Sequence, residues 1–490
     1  MQPGAERRWV TAAILLGMFL AAVEATAVAT AMPTAVSDLG SVERYSWAFS
    51  AYLLTSTTTV PMFGKLADLH GRRTVYLAAT AIFLIGSVLC GAAANMEQLI
   101  LFRALQGVGA GGVMPVAITV IGDIYSLEER GRMQGVFSGV WALASITGPA
   151  VGGLLTDALS WRWVFLINVP FGVLSAGILM IMLREETARR ERRLDVAGTL
   201  ALTLGVGLLL LGIQEGSAAW GWRAWPTGAA LLAAGGLLAL FIRQERRAVE
   251  PMLPLDLFRQ PVISAASLGA VVIGTLLFPL TAFVPMFAQG VRGGTAAEAG
   301  AALMPMMIGW PIASTLAGWW LMRLGYRTLA LIGAAFALGG GILLALVRAD
   351  SPTLLLPAAV GMLGLGLGFV STPLIVAVQA AVPWQRRGVA TSSQQFFRTI
   401  GGALAVGILG AVLNANLAEH GIARLAQDAL EPATRATLSA ADVARASLGL
   451  ADGLQRIFLV LALAAAATVG VALRFPKGRA EAHVYRPPAD

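Results

Sequence analysis

Apolar runs of about 20 residues, each bounded by short polar stretches, recur along the whole chain. A helix of about 20 residues is what crosses a bilayer core of about 30 Å. Windows of that length predict fourteen spans. The first seven are Val10–Met32, Ala48–Leu69, Val75–Ala94, Leu99–Ile121, Met133–Leu155, Val164–Leu183 and Val196–Ile213. The rest are Trp225–Ile242, Val262–Phe287, Ala299–Leu321, Thr328–Val347, Leu354–Val378, Phe397–Leu413 and Gly453–Leu473. In lipid each must be a helix, because backbone N–H and C=O groups have to be satisfied within the segment.

The polar stretches between runs are of two kinds. Alternate loops are rich in cations: Arg7 and Arg8; Lys65, Arg72 and Arg73; Arg130 and Arg132; then Arg184 to Arg193. The series continues with Arg243 to Arg259, then Arg323 and Arg327, then Arg386 and Arg387, then Arg474 to Arg479. The intervening loops hold single arginines: Arg44, Arg162, Arg223, Arg292 and Arg348. Basic loops stay in the cytoplasm, so both termini are expected there. A missed span would invert the alternation downstream, so the charge pattern also checks the count. The run after Arg8 is longer than a signal-peptide core and is expected as an uncleaved first helix.

Composition agrees. The chain is 57% hydrophobic and 13% charged over 490 residues, where a soluble protein is about a quarter charged. A formal net charge of +8 invites a nucleic-acid reading. The placement of the arginines in short loops between apolar runs excludes it. Cys90 is the only cysteine, which rules out an intrachain disulfide, and His70, His420 and His483 lack metal-ligand spacing. No cofactor is expected. No Ser/His/Asp set, Walker loop or sizeable soluble domain is present, which argues against an enzyme or a self-contained ATP-driven pump. The sequence sets no oligomeric state.

The chain also repeats itself. Gly64, Gly71 and Arg73 recur at one offset as Gly318, Gly325 and Arg327. Arg130-Gly131 recurs as Arg387-Gly388, and Pro115 as Pro373, at nearly the same offset. Two copies in one orientation fit an even number of spans each, about six. The expected organisation is therefore two six-helix bundles, residues 1–183 and 261–473, a linker with two extra spans over 184–260, and a cytoplasmic tail over 474–490. The stretch from Arg184 to Asp195 reads first as a solvated linker, with a grip on anionic lipid as the alternative. In the long external stretch from Ala415 to Asp452, the part from Ala433 to Leu450 has helical periodicity and is expected as a surface helix.

Three features carry candidate chemistry. Gly64-Lys65-Leu66-Ala67-Asp68-Leu69-His70-Gly71-Arg72-Arg73 joins two spans, with glycines for a tight turn and charges able to form a clasp. Asp123 is a further candidate member, pairing with Arg72 or Arg132. Glu24 is the deepest acid, in an otherwise apolar run, where a charge costs roughly 2.5–3.5 kcal/mol. It must face a cavity or a partner, or carry a proton, and Arg103 is the natural partner. Gly148-Pro149 puts a helix-kinking proline within a span. Gly107, Gly109 and Gly112 form a G-x-G-x-x-G that is set aside, because it lies inside an apolar helix with no preceding strand. The pairs Gly107/Gly111, Gly148/Gly152 and Gly364/Gly368 read as close helix packing.

The decapeptide resembles the signature loop of the major facilitator superfamily, and further motifs resemble its 14-span drug:proton antiporter branch. These are Val23 to Pro33, with Glu24 where the branch usually has Asp; Trp47 to Leu54; Leu101 to Gly109; Gly139 with Gly148 to Gly153; and Trp161 to Pro170. The likeness covers about residues 9–415 and is weaker in the second half, where Met322 stands at the counterpart of Asp68. It implies proton coupling at Glu24 and Arg103, and a conformational switch at Gly64, Asp68, Gly71, Arg72, Arg73 and Asp123. It also implies an antiporter role for Gly148, Pro149, Gly152 and Gly153. Candidate cavity residues are Gln106, Trp141, Phe283, Phe287, Gln289 and Trp310, with Phe278 and Met286; for most, packing is the competing reading. The expected function is proton-driven export of small lipophilic molecules through a bacterial cytoplasmic membrane, the cargo being lipophilic monocations or neutral amphiphiles. Alternatives are a dedicated exporter of a metabolite, antibiotic or lipid, and a proton symporter.

Overall fold

The computed structural model describes residues 4–39, 45–183, 196–218, 220–248, 251, 253–294, 296–419, 421–422, 425–426, 437–478 and 480. The expected linker between Arg184 and Asp195, and most of the terminal tail, lie outside the described residues. Helices account for nearly all the rest, and no strand occurs among the described residues. In chain order they are α1 (Gly4–Leu39), α2 (Tyr45–His70), α3 (Arg72–Gly91), α4 (Met96–Ile124), α5 (Leu127–Ala158), α6 (Trp163–Leu166) and α7 (Asn168–Met182). Then follow α8 (Val196–Ala218), α9 (Trp225–Glu245), α10 (Pro261–Met286), α11 (Ala296–Ala345), α12 (Leu355–Ala380), α13 (Arg387–Glu419) and α14 (Ala440–Arg474).

Among the described residues, ten helices are long and apolar enough to cross a membrane. α2 and α5 carry more polar residues, and the apolar core of α8 is shorter, at Ala197–Ile213. α11 holds two expected spans, separated by a kink at Gly325 with φ 74°. α6 and α7 together make one segment. Its break at Ile167 falls three residues before Pro170, whose ring and missing N–H do not continue a helix. About fourteen membrane-length segments result.

Several element ends follow from local chemistry. Asn95 caps α4 by accepting from Gln98 N at 2.9 Å, and Ser126 with Glu129 forms a capping box on α5. Gly71, at φ 90°, lets α2 turn directly into α3, a conformation that favours glycine. Gly325, its repeat partner, takes the same positive φ. The sequence repeat thus marks two turns of one geometry.

Two expectations are corrected. Of the surface helix expected from Ala433 to Leu450, residues 433–436 lie outside the described residues, and from Ser439, which caps it, α14 runs unbroken into the last span rather than ending at Leu450. The thirteenth span begins at Arg387 rather than Phe397, which sets Arg398 well inside the helix.

The described turns that carry Arg72, Arg130, Arg323 and Arg387 gather at one end of the bundle, called the basic end below. There the first-half helices meet the second-half helices along two seams. In one, α2 touches α13: a Cβ on Gly64 would lie 2.8 Å from Gly388 O. In the other, α5 touches α11: a Cβ on Gly318 would lie 2.2 Å from Gly131 C and O. These are the glycines that the repeat equates, so each copy's loop glycine packs on the other copy's Arg-Gly pair.

Candidate functional site

Glu24 and Arg103 come together as expected. Arg103 Nη1 bonds Glu24 Oε1, and the two side chains are 2% and 0% exposed. α1 carries the acid and α4 the base, in the half of the bundle away from the basic end. Arg103 also donates to Ala48 O at 3.1 Å and to Gln106 Oε1 at 2.8 Å. Its guanidinium lies 4.2 Å from the Tyr52 ring centroid. Gln106 passes the network on to Ser87 Oγ at 2.8 Å, and Asn168 reaches the same hydroxyl at 3.4 Å. Five helices, α1, α2, α3, α4 and α7, therefore converge on one buried charge pair and its network.

The arrangement is lopsided. Arg103 is held by several partners, whereas Glu24 Oε2 is buried with no hydrogen bond of ordinary geometry among the described residues. A proton on Glu24 would remove the ion pair yet leave Arg103 with a backbone carbonyl and an amide. Breaking a buried pair by removing one charge costs about 3–5 kcal/mol; the charge left is Arg103's, which keeps those two acceptors and the Tyr52 ring.

The close approach of these helices rests on glycine, as the small-residue pairs suggested. A Cβ on Gly107 would lie 2.5 Å from Tyr52 O, and on Gly111 2.5 Å from Ser56 O, both on α2. Gly109 faces α3, where Phe83 N would be 2.3 Å away. In the second half, Gly364 packs on Met306 and Gly368 on Trp310 O.

At the basic end, the signature loop forms a charged clasp across one seam. Asp68 accepts from Gly388 N at 2.9 Å and Val389 N at 2.7 Å. These N–H groups sit in the first turn of α13, where no intrahelical acceptor exists, so Asp68 caps the other half's helix from outside. Arg72 bonds Asp68 at 2.7 Å and Asp123 at 3.0 Å. It also donates to Trp384 O at 2.8 Å and lies 4.1 Å from that ring's centroid. Arg387 completes the clasp on Asp123 at 3.1 Å. Asp123 therefore pairs with Arg72, as expected, but its second partner is Arg387. Arg132 turns instead to Glu128 at 2.6 Å. Arg73 lies in the first turn of α3, half-buried, and Gly71 supplies the turn.

Other expected site residues are more scattered. Gly148 packs on α1, where a Cβ would meet Thr26 Oγ1 at 1.8 Å, and Gly152 is buried, while nothing lies within 4 Å of a Cβ on Gly153. The side chain of Pro149 lies outside the described residues. Gln106 belongs to the charge-pair network. Phe283 and Phe287 are buried, Phe287 against Phe458 with ring centroids 5.5 Å apart. Gln289 is half-buried on a π-helical turn, Phe287–Val291, that follows Pro285. Trp310 packs partly against the core, and Trp141 is 40% exposed.

Sequence reasoning missed several members. Trp384 and Arg387 were read only as part of a loop, although Arg387 is the repeat partner of Arg130. Ser87 and Asn168 carry no pattern that separates them from ordinary helix residues. Arg398 was hidden by placing the span start ten residues late.

Residues 14–406 match the family described as the Major Facilitator Superfamily, and the chain belongs to that family. It is therefore an integral multi-pass membrane protein of a transporter family. It is 39% identical over 411 residues to the multidrug transporter protein MdtP of Bacillus subtilis strain 168, covering 84% of this chain and 76% of that one. It is 36% identical over 409 residues to multidrug resistance protein 3 of the same organism, covering 83% and 80%. Among solved structures, the proton:xylose symporter XylE shares the fold with a TM-score of 0.66 at 13% identity, covering 96% of each chain. A bacterial homologue of the lysosomal transporter Spinster does so at 0.58 and 18%, covering 99% and 100%.

Proposed function

We propose that the chain is a proton-coupled antiporter that exports small lipophilic or amphiphilic compounds across a bacterial cytoplasmic membrane. Drug export is supported by the names of relatives at 36–39% identity. The observation that carries proton coupling is the Glu24–Arg103 pair, an acid and a base buried against each other within the spans. Such a pair is costly in lipid and marks a proton or substrate path.

In this reading, residues 1–183 and 261–473 are the two moving halves, and residues 184–260 carry two additional spans. The basic end faces the cytoplasm, as do both termini. The hydrogen bonds joining the halves cluster at that end, through Asp68, Arg72, Asp123 and Arg387, and through Ser138 and Ser314 at 3.3 Å. The conformation is then the one closed to the cytoplasm. A proton from outside neutralises Glu24 and loosens α1 from α4. The halves rock, the clasp opens, and the proton leaves to the cytoplasm as substrate is taken up for the next cycle.

The test is export into inside-out vesicles driven by an imposed pH gradient. Glu24→Gln keeps the shape and removes the charge, and it is expected to abolish gradient-driven accumulation while leaving substrate binding measurable. Full gradient-driven export by this variant would refute the assignment.

A further inference from the structure

The second half of the bundle holds a cation within a helix that has no side-chain partner among the described residues. Arg398 lies eleven residues into α13, about 16 Å from its start at 1.5 Å per residue. Its Nε is buried without a hydrogen bond. Among the described residues no carboxylate pairs with it, and the residue as a whole is half-buried. Arg103, the cation inside a helix of the first half, has Glu24. A guanidinium left unpaired among membrane helices is expensive, and such residues mark ligand or ion paths.

The neighbourhood is polar and equally unsatisfied. Thr391, Gln394, Gln395 and Arg398 recur at three- and four-residue steps, so they share one face of α13. Among the described residues, Thr391 Oγ1, Gln394 Oε1 and Gln395 Oε1 are buried without partners, and so is Ser267 Oγ on α10. At its start this face turns Arg387 across the seam to Gly122 O and Asp123 of α4. The stripe therefore looks toward the space between the halves rather than toward lipid.

The backbone here is held firmly. A Cβ on Gly274 of α10 would lie 1.9 Å from Arg398 O, and one on Gly402 would lie 2.2 Å from Phe278. α10 and α13 thus touch at Arg398, and Phe278 stands one turn further along. A guanidinium on a closely packed backbone, amide and hydroxyl groups on the same helix face, and the Phe278 ring one turn along suit a ligand with an anionic head and an apolar body.

We propose that Arg398, with Gln394, Gln395 and Thr391, is a binding subsite for the carboxylate, sulfonate or phosphate group of an amphiphilic anion, whose apolar part packs toward Phe278. This names a substrate class for the export function proposed above, and rests on it. It also revises the cargo expected from sequence: the single deep acid, Glu24, is already paired, and the free charge is positive.

The experiment uses the full-length chain in phosphatidylcholine nanodiscs, without any gradient. Fluorescence titration compares dansyl-undecanoate, its neutral methyl ester and a trimethylammonium analogue. Charged hydrogen bonds should favour the carboxylate over the ester about tenfold or more. Arg398→Gln should weaken carboxylate binding about tenfold and leave ester binding unchanged, which also reports that the variant is folded. Arg398→Lys keeps the charge without the planar fork and should retain part of the preference. Equal wild-type affinity for carboxylate and ester overturns the subsite, as does unchanged carboxylate affinity in Arg398→Gln. Tighter binding of the trimethylammonium analogue overturns it as well. A chain that binds the carboxylate through Arg398 but exports nothing refutes the export function and leaves the subsite standing.

Discussion

Two seams join the halves at the basic end, and the internal repeat makes them counterparts. Both are built on a glycine of one copy packed against an Arg-Gly pair of the other, Gly64 on Gly388 and Gly318 on Gly131. Their chemistry differs. The first carries Asp68, Arg72, Asp123 and Arg387 in one connected clasp. At the second, Asp68 is replaced by Met322, half-buried against the apolar core, and Arg130 donates to Tyr125 O at 3.0 Å within its own half.

Helix position explains why only one seam can use an acid. α13 begins at Arg387, so Gly388 and Val389 present unsatisfied N–H groups, and the positive end of the helix favours a carboxylate. α5 begins at Leu127, so the N–H of Gly131 already lies beyond the orphan first turn. Equivalent sequence positions meet unequal backbones. One seam is then a charged clasp, and the other a tight apolar contact.

The largest effect is expected from Asp68→Asn. It removes one partner of a buried, hydrogen-bonded pair, worth about 3–5 kcal/mol. Spin labels across the basic end, read by double electron–electron resonance, should show the closed population falling, and gradient-driven export should drop at least about tenfold. Next is Gly318→Ala. The new methyl would stand 2.2 Å from backbone atoms of Gly131, which cannot rotate away, at a cost of about 1–3 kcal/mol. The same labels should report partial opening although no charge has changed. Unaltered spacing would mean that the glycine seam does not hold the halves together.

A smaller loss is expected from Met322→Asp, which places an acid where the repeat equates it with Asp68. No free first-turn N–H awaits it, so it should lower the thermal midpoint by the equivalent of about 1–3 kcal/mol. It should not strengthen closure; a more closed basic end would show that the seams differ in side chain only. The smallest effect belongs to Asp38→Asn at the opposite end. Asp38 bonds Arg162 at 2.8 Å and Trp161 at 3.0 Å, both in its own half. Those bonds, Arg162's foremost, hold its carboxyl below the usual range. Its contribution is present above the unfolded carboxylate value of about 3.9 and is lost only in stronger acid. Seam spacing and export between pH 5 and 8 should be unchanged.

Much of the fold was legible because membrane helices announce themselves by length and apolarity, and loop arginines count them. Gly71 and Gly325 were legible because a repeated glycine at a turn points to positive φ. Glu24 with Arg103 was legible because an acid deep in an apolar run needs a partner. Arg387 and Trp384 were not, since their contacts join segments more than 250 residues apart in sequence. Arg398 was obscured for a different reason. The polar residues from Thr391 to Gln395 look like loop by hydropathy, whereas their polar side chains are buried inside a helix. Hydropathy windows measure residue type and are blind to which face of a helix meets lipid.

The central claim is that Glu24 carries the coupled proton. It is tested most directly by measuring substrate accumulation in proteoliposomes under an imposed pH gradient, with wild type and Glu24→Gln side by side and equilibrium substrate binding recorded for both. The account predicts gradient-driven accumulation by wild type, none by Glu24→Gln, and binding retained in each. Equal accumulation by the two proteins would contradict it.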